Sequence, residues 1–423
     1  MAHASETRQR LPSGFLQQGP APIPMHPTLA AIATAAGVGG LYVQRTRLRT
    51  AQSIADMDAA RTLAASGLEH ALARIDAAPT WRTSIGAGSW LDAVDLGPGT
   101  LSVSVADPID ADIADAPTDP IRITAAAAVG DARQRLSADV EFTSAPYTVL
   151  QCAAYGGANV YIGSTTLTAD SPVSSGAGMT ALAATVQAPV EAVGLVSGLI
   201  YYQSQQSGAT ARTVPASADL LSTWSGLGTS ISYASLSGGI LERRLLKPGA
   251  GTATTSFDPS VWVINCAGGA LTIRDLRIYG TLVVLNASTV TVSSSVRIDP
   301  VNAGWPSLIV QGQLRLGIST AVLRESTVAA NLNPAGAPWQ GTTDTDMADS
   351  YASGITGIVL ATGEVQVNQA LTLTGTLISL GNQLTVSNTL TITRDVASQA
   401  SPPPGFYTLT PTLSAEGVER IAN

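Results

Sequence analysis

The sequence predicts a mostly β protein: a long N-terminal α-helix, a small antiparallel strand domain, then a right-handed parallel β-helix. Three observations predict it. Between residues 44 and 78 no breaker interrupts apolar positions spaced by three and four. After Pro79 the apolar period shortens to two. From residue 146 onward a 30-residue segment of short alternating strands recurs. Bulk composition agrees: 45% of the 423 residues are apolar and the net charge is only −8, so the chain should fold. Charged residues make up 12%, and the abundance of Thr, Ser and Val favours strands.

Residues 1–27 are polar and hold five prolines, which reads as a disordered leader. Residues 28–43 form a run of 16 uncharged, mostly apolar residues, short of the ~20 that span a bilayer comfortably. The run continues without a signalled gap into an amphipathic stripe of Ile54, Met57, Ala60, Ala64, Leu68, Leu72 and Ile75. Residues 28–78 are therefore assigned to a hydrophobic then amphipathic helix, in which Thr28–Asp76 would make one rod roughly 70 Å long at ~1.5 Å per residue. A membrane anchor followed by an unrelated surface helix is the other reading.

Residues 79–145 are expected to form the small antiparallel domain. Leu101–Val105, Ile121–Thr124 and Leu136–Phe142 alternate, with turns at Gly97-Pro98-Gly99 and Gly130-Asp131. Residues 146–400 are assigned to the β-helix and 401–423 to a tail. GALTIRDLRIYGTLVVLNASTVTVSSSVRI (269–298) aligns with GEVQVNQALTLTGTLISLGNQLTVSNTLTI (363–392). Around the second copy a shorter period shows: Gly357-Ile-Val-Leu recurs as Gly375-Thr-Leu-Ile, and Glu364-Val-Gln-Val as Gln383-Leu-Thr-Val. Ser307–Val310 and Gln313–Leu316 supply a further coil. Such a period marks stacked coils with Val, Ile and Leu inside and Thr and Ser outside. A β-sandwich with chance repetition is the runner-up.

Several chemistries are excluded. The only histidines are His3, His26 and His70, and the only cysteines are Cys152 and Cys266. A Ser/His/Asp triad, a Cys/His dyad or a His-ligated zinc site cannot be built after residue 70. The acidic balance, with Lys247 the only lysine, gives no electrostatic footprint for nucleic acid. Asp107, Asp110, Asp112, Asp115 and Asp119 crowd one loop, and Asp344, Asp346 and Asp349 another. Each group reads either as hard oxygen ligands for calcium or as a solvated loop, and neither matches a standard calcium loop. Asp275, Asp299, Glu325, Glu364 and Asp395 occur singly, whereas glycosidic hydrolysis needs paired carboxyls. Arg274 and Arg277 lie on the first coil. The sequence therefore assigns no catalytic, cofactor-binding or metal-ligating residue. Cys152 and Cys266 share a sequence context; a disulfide and two buried free thiols both remain open.

The stretch Ala59-Ala-Arg-Thr-Leu-Ala-Ala-Ser-Gly-Leu-Glu-His-Ala-Leu-Ala-Arg74 resembles the helix of PilX-type minor pilins, the pilin-like proteins of type IV pilus and type II secretion machines. Ala64, Gly67, Glu69 and Ala71 fit the family's small-residue pattern. An Arg-bearing strand at Arg133–Val140, bactofilin-like coils and the Pro402-Pro-Pro-Gly-Phe406 closing segment follow in order. The resemblance covers most of residues 28–410. It implies a non-enzymatic envelope protein whose helix anchors in the membrane and packs into a pilus or pseudopilus. The β-helix would project as an assembly or adhesion module. Ala64, Gly67, Leu68, Glu69 and Leu72 would carry helix assembly. The implied location is the cell envelope, as a single-pass anchor with an exported C-terminal domain, or an extracellular filament. The implied partners are the membrane and other pilin-like subunits or their machinery. The alternatives are a membrane-anchored β-helix that binds a glycan or a protein, and a β-helix carbohydrate-active enzyme. Two features depart from the family. Gly14-Phe15 is followed by no Glu and no immediate apolar run, so peptidase cleavage there is not expected. Arg45, Arg47 and Arg49 follow the apolar run, and the positive-inside tendency would keep their side cytoplasmic.

Overall fold

A computed structural model describes residues 27–78, 81–114, 116–201, 203–249 and 260–421. The leader at 1–26 and Asp115 lie outside the described residues. The chain divides into two compact units, residues 1–142 with 411–423, and residues 143–410.

In the first unit, α1 (Pro27–Ala77) is a single 51-residue helix. Hydroxyls that would compete with a helix are turned back onto it: Thr46, Thr50, Thr62 and Ser66 each donate to the carbonyl four residues earlier. Arg74 in the last turn suits the negative end of the helix dipole. Pro79, just beyond, cannot continue the helix. Four strands follow: β1 (Gly88–Leu96), β2 (Gly99–Ala106), β3 (Ile121–Val129) and β4 (Ala132–Pro146). The β3–β4 turn is two residues, with Val129 paired to Ala132 and Gly130 at φ 55°, which a tight hairpin demands. The last strand, β5 (Tyr407–Arg420), completes an antiparallel sheet of order β1-β2-β3-β4-β5. The segment assigned to a tail is therefore mostly an edge strand of the N-terminal sheet. One face of the sheet buries Leu101, Val103, Val105, Ile121, Ile123, Ala125 and Val140, and α1 packs on β2 and β3.

The second unit is the parallel β-helix. One column of its core can be followed strand by strand in register: Ile273, Val292, Leu316, Val367, Val386, Ile162 and Ala181, all buried. The short period in the sequence is the coil itself. Gly357 pairs with Gly375 and Val365 with Leu384. The coils approach so closely that a Cβ on Gly375 would lie 2.0 Å from the Gly357 carbonyl oxygen.

Coil order does not follow chain order. Along one face the strands stack as Thr229–Ser230, Val261–Asn265, Thr281–Leu285, Pro306–Val310, Gly354–Ala361, Leu371–Ser379, Ala154–Gly156, Val173–Ser175, Pro189–Ala192 and Ser204–Ser207. The chain enters mid-stack, winds to one end, crosses to the other end and winds back to its entry point. The crossing contains α2 (Ser217–Leu227). Its Leu220, Leu221 and Trp224 cluster with outward Val261, Val283, Ile309, Leu360 and Ile378 and with Phe406. The expected polar outer surface is thus replaced on this face by an apolar one under a helix. On another face the expected hydroxyls appear in register at Thr372, Thr391 and Thr168, with the amide of Gln187 next in the column.

Candidate functional site

Two regions combine exposed or buried chemistry that the fold alone does not require. The first is α1. Residues 31–55 are all exposed, including Ile32, Val38, Leu41, Tyr42 and Leu48 at 61–73%. That fully exposed stretch is about 37 Å of rod at ~1.5 Å per residue. Gly37, Gly39 and Gly40 lie inside it, and a Cβ on any of them would meet nothing within 4 Å. Arg45, Arg47 and Arg49 sit on the same segment and form no ion pair among the described residues.

From residue 56 the helix changes character. Ala60, Ala64, Leu68, Ala71 and Ile75 are buried, and Gly67 with them. The Cβ that Gly67 lacks would fall 2.8 Å from Leu101 Cδ1, 3.1 Å from Ala125 Cβ and 3.2 Å from Val103 Cγ2. Of the residues assigned to helix assembly, Ala64, Gly67 and Leu68 are therefore spent inside the subunit, against its own sheet. Leu72 is half-buried, and only Glu69 is exposed. A stripe that packs on a sheet and one that packs on another helix share one period, so the sequence pattern alone does not separate the two. The exposed apolar residues lie one segment earlier.

The second region is the insertion at 319–353. Arg277, 1% exposed, holds it from below. Its Nη1 donates to Leu332 O (2.6 Å) and Ala337 O (2.9 Å), and its Nη2 to Pro338 O (2.7 Å). Trp339, Tyr351 and Tyr279 surround the guanidinium at 5.3–5.5 Å. Burial pushes the Arg277 pKa below its usual range, opposed by the Asp299 charge. Above it, Glu325 is fully buried and accepts from Leu332 N, Asp349 N and the Tyr351 hydroxyl. Asp344 and Asp349 share one donor, Asn333 Nδ2, at 3.2 and 2.8 Å. Desolvation, then the Asp344 charge and hydrogen bond, hold the Asp349 carboxyl above the ordinary range.

Several of the remaining candidate groups have local partners. Asp299 pairs with Arg297, Glu364 accepts from Thr385, and Asp395 accepts from Gly304 N and Ala397 N. Arg274 pairs with Glu242 at 2.7 Å. In the aspartate-rich loop, Asp107, Asp110 and Asp112 each accept a backbone N–H two residues on. Among the described residues no three His, Cys, Asp or Glu side chains converge as a ready-made metal cage.

Cys152 and Cys266 are buried free thiols. The pairing reading is corrected by coil order. Cys266 ends the Val261–Asn265 coil and Cys152 precedes the Ala154–Gly156 coil, five steps along the stack. At ~4.8 Å per step that is about 24 Å, against the ~7 Å limit between Cα atoms of a disulfide.

Among the described residues no helix is long and apolar enough to cross a membrane, which removes the support for a single-pass anchor in α1. No family model matches the chain, and no curated protein matches it. Among solved structures it is similar to the competence-associated pilin ComZ from Thermus thermophilus, at 12% identity, 86% of this chain, 97% of that chain and TM-score 0.27. It is also similar to an ice-binding protein from the Antarctic ascomycete Antarctomyces psychrotrophicus, at 13% identity, 58% of this chain, 95% of that chain and TM-score 0.29. A third is an ice binding protein from an Antarctic Biological Consortium, at 13% identity, 58% and 91% coverage and TM-score 0.30. Likeness at this level carries nothing about function.

Proposed function

We propose that the chain is a non-enzymatic, pilin-like subunit of a cell-envelope filament, with residues 31–55 of α1 buried among the same helices of neighbouring copies and the β-helix displayed. The observation that carries this is the two-part helix. One continuous rod packs its second half on its own sheet and leaves the first half, apolar and glycine-bearing, without a partner among the described residues of the subunit. Exposed apolar surface on this scale is a mark of an interaction site. Three interior glycines cost a helix about 1 kcal/mol each relative to Ala, and close approach of a neighbouring helix would repay that. Arg45, Arg47 and Arg49 end the apolar segment with a positive band that an acidic neighbour would neutralise. The β-helix, closed on one face by α2, is a rigid module suited to display.

The test is incorporation. Leu41→Asp and Leu48→Asp should leave the melting temperature of the isolated chain within about 2 °C, as surface changes do. Both should abolish recovery of the protein in sheared, high-molecular-weight envelope fractions. Unchanged recovery of both variants would sink the proposal.

A further inference from the structure

Residues 45–58 of α1 carry charge in two blocks that do not meet on their own helix. Residues 27–55 hold no Asp or Glu, and Arg45, Arg47 and Arg49 are all exposed. The next charges along the helix are Asp56, half-buried, and Asp58, exposed. Neither the arginines nor the aspartates are ion-paired among the described residues. Charged side chains on a helix pair when they lie three or four residues apart, and Arg49 is seven residues from Asp56. At the pairing distance Arg45 and Arg49 meet each other instead, a like-charge pair that a lone helix disfavours.

The two blocks match each other at longer range. At ~100° per residue, Arg45, Arg49 and Asp56 fall within about 40° on one side of the rod, and Arg47 and Asp58 lie together on the opposite side. Arg45 to Asp56 and Arg47 to Asp58 are each eleven residues, about 16 Å along the axis. A parallel neighbour slid by two to three turns therefore brings the acids of one copy level with the bases of the other. The same slide keeps apolar residues opposite apolar ones. Two turns set Leu41 level with Leu48, and three turns set Ile32 level with Val43 and Val43 level with Ile54. Parallel neighbours without an offset would set their arginine bands side by side. An antiparallel neighbour paired through the same charges would lay residues 31–43 along the exposed polar side chains of Arg61, Thr62, Ser66, Glu69 and His70.

We propose that neighbouring copies pack α1 in parallel with an offset of two to three turns, so that Asp56 and Asp58 of one copy neutralise the arginine band of the next. The inference rests on the filament reading above and supplies the acidic neighbour that reading calls for, a second copy of this chain. Apolar contact holds the helices together, and the charge blocks select the offset, because complementary charges fix register more than they add affinity. Each copy offers arginines to one neighbour and aspartates to another. An axial offset cannot close into a ring, so every added copy leaves the same two blocks open to the next.

The test is charge exchange in the full chain, read as recovery in sheared, high-molecular-weight envelope fractions. Arg45→Glu/Arg47→Glu/Arg49→Glu and Asp56→Arg/Asp58→Arg should each lower recovery by about tenfold, since each places like charges against like. All five substitutions in one chain restore opposite charges between copies and should return recovery to within about twofold of the wild type. Melting curves of the isolated chains establish that each variant folds. Asp56 lies beside Gly130, where a Cβ would stand 3.0 Å from Asp56 Oδ2, so Arg47→Glu with the exposed Asp58→Arg supplies a second exchange that leaves that contact alone. Wild-type recovery of a folded single-block reversal overturns the offset, and so does a folded exchanged chain recovered no better than either reversal. The leucine variants keep the two readings apart. If Leu41→Asp is lost from the fraction while the charge reversals are not, the filament reading stands and the offset falls; if Leu41→Asp and Leu48→Asp are both retained, the filament reading falls and takes the offset with it.

Discussion

Gly67 and Leu101 meet so closely that no side chain fits between them: a Cβ on Gly67 would lie 2.8 Å from Leu101 Cδ1. That contact assigns the small-residue pattern of α1 to packing within the subunit. Gly67→Ala should destabilise the isolated chain by about 1–2 kcal/mol, since overpacking outweighs the gain in helix propensity. Gly39→Ala should do the reverse and stabilise it by up to about 1 kcal/mol, because nothing lies within 4 Å of the new methyl. Urea denaturation of the two variants separates these outcomes. Equal shifts of the same sign would contradict the packing described.

Arg277 is the clamp of the insertion. Arg277→Met leaves three carbonyls, two of them buried, without their donor and should destabilise the insertion locally by about 2–4 kcal/mol. Protease should then cut within 319–353 while the rest of the β-helix stays intact. Arg277→Lys should rescue only partly, because an ammonium cannot span the same fork of acceptors.

The Arg122–Asp139 pair gives a pH signature. It is a two-bond ion pair across β3 and β4, with both distances 2.7 Å. Hydrogen bonding from Arg122, with its charge, holds Asp139 below the usual carboxylate range. A depressed native pKa stabilises above the unfolded value of about 3.9, and the contribution fades as pH falls through the lower native value. Arg122 is half exposed, so the pair is worth no more than about 1 kcal/mol. Asp139→Asn should cost that amount at pH 7 and nothing at pH 2, read from denaturation midpoints.

The thiols should be silent. Burial pushes Cys152 up to about 12, opposed by Arg212. Neither cysteine should react with a thiol reagent at pH 8 until the chain unfolds, and oxidant should form no intramolecular link. Fast labelling of the native protein would contradict their burial.

The parts that were legible in the sequence are those written in local period. The helix, the alternation in β2, β3 and β4, and the coil spacing from Gly357 to Gly375 follow from side chains that repeat with the backbone. Coil order was not legible. Every coil edge offers the same hydrogen bonds, so nothing local in residues 154–156 says that they stack on 377–379. The return of Tyr407–Arg420 to the N-terminal sheet was hidden for the same reason. For the site, the exposed half of α1 was visible as a run. Which half would be covered depended on the sheet at Leu101, Val103 and Ala125, which lies 34 residues or more away in sequence from Gly67.

The central claim is that residues 31–55 of α1 pack against other copies. Cysteine crosslinking in cells tests it most directly, with Leu41→Cys and Leu48→Cys on the exposed helix and Val94→Cys on exposed β1 as the control. Oxidation should link copies through positions 41 and 48 and leave the position 94 variant unlinked. Monomers only at 41 and 48, in cells where the envelope fraction holds the protein, would contradict the account.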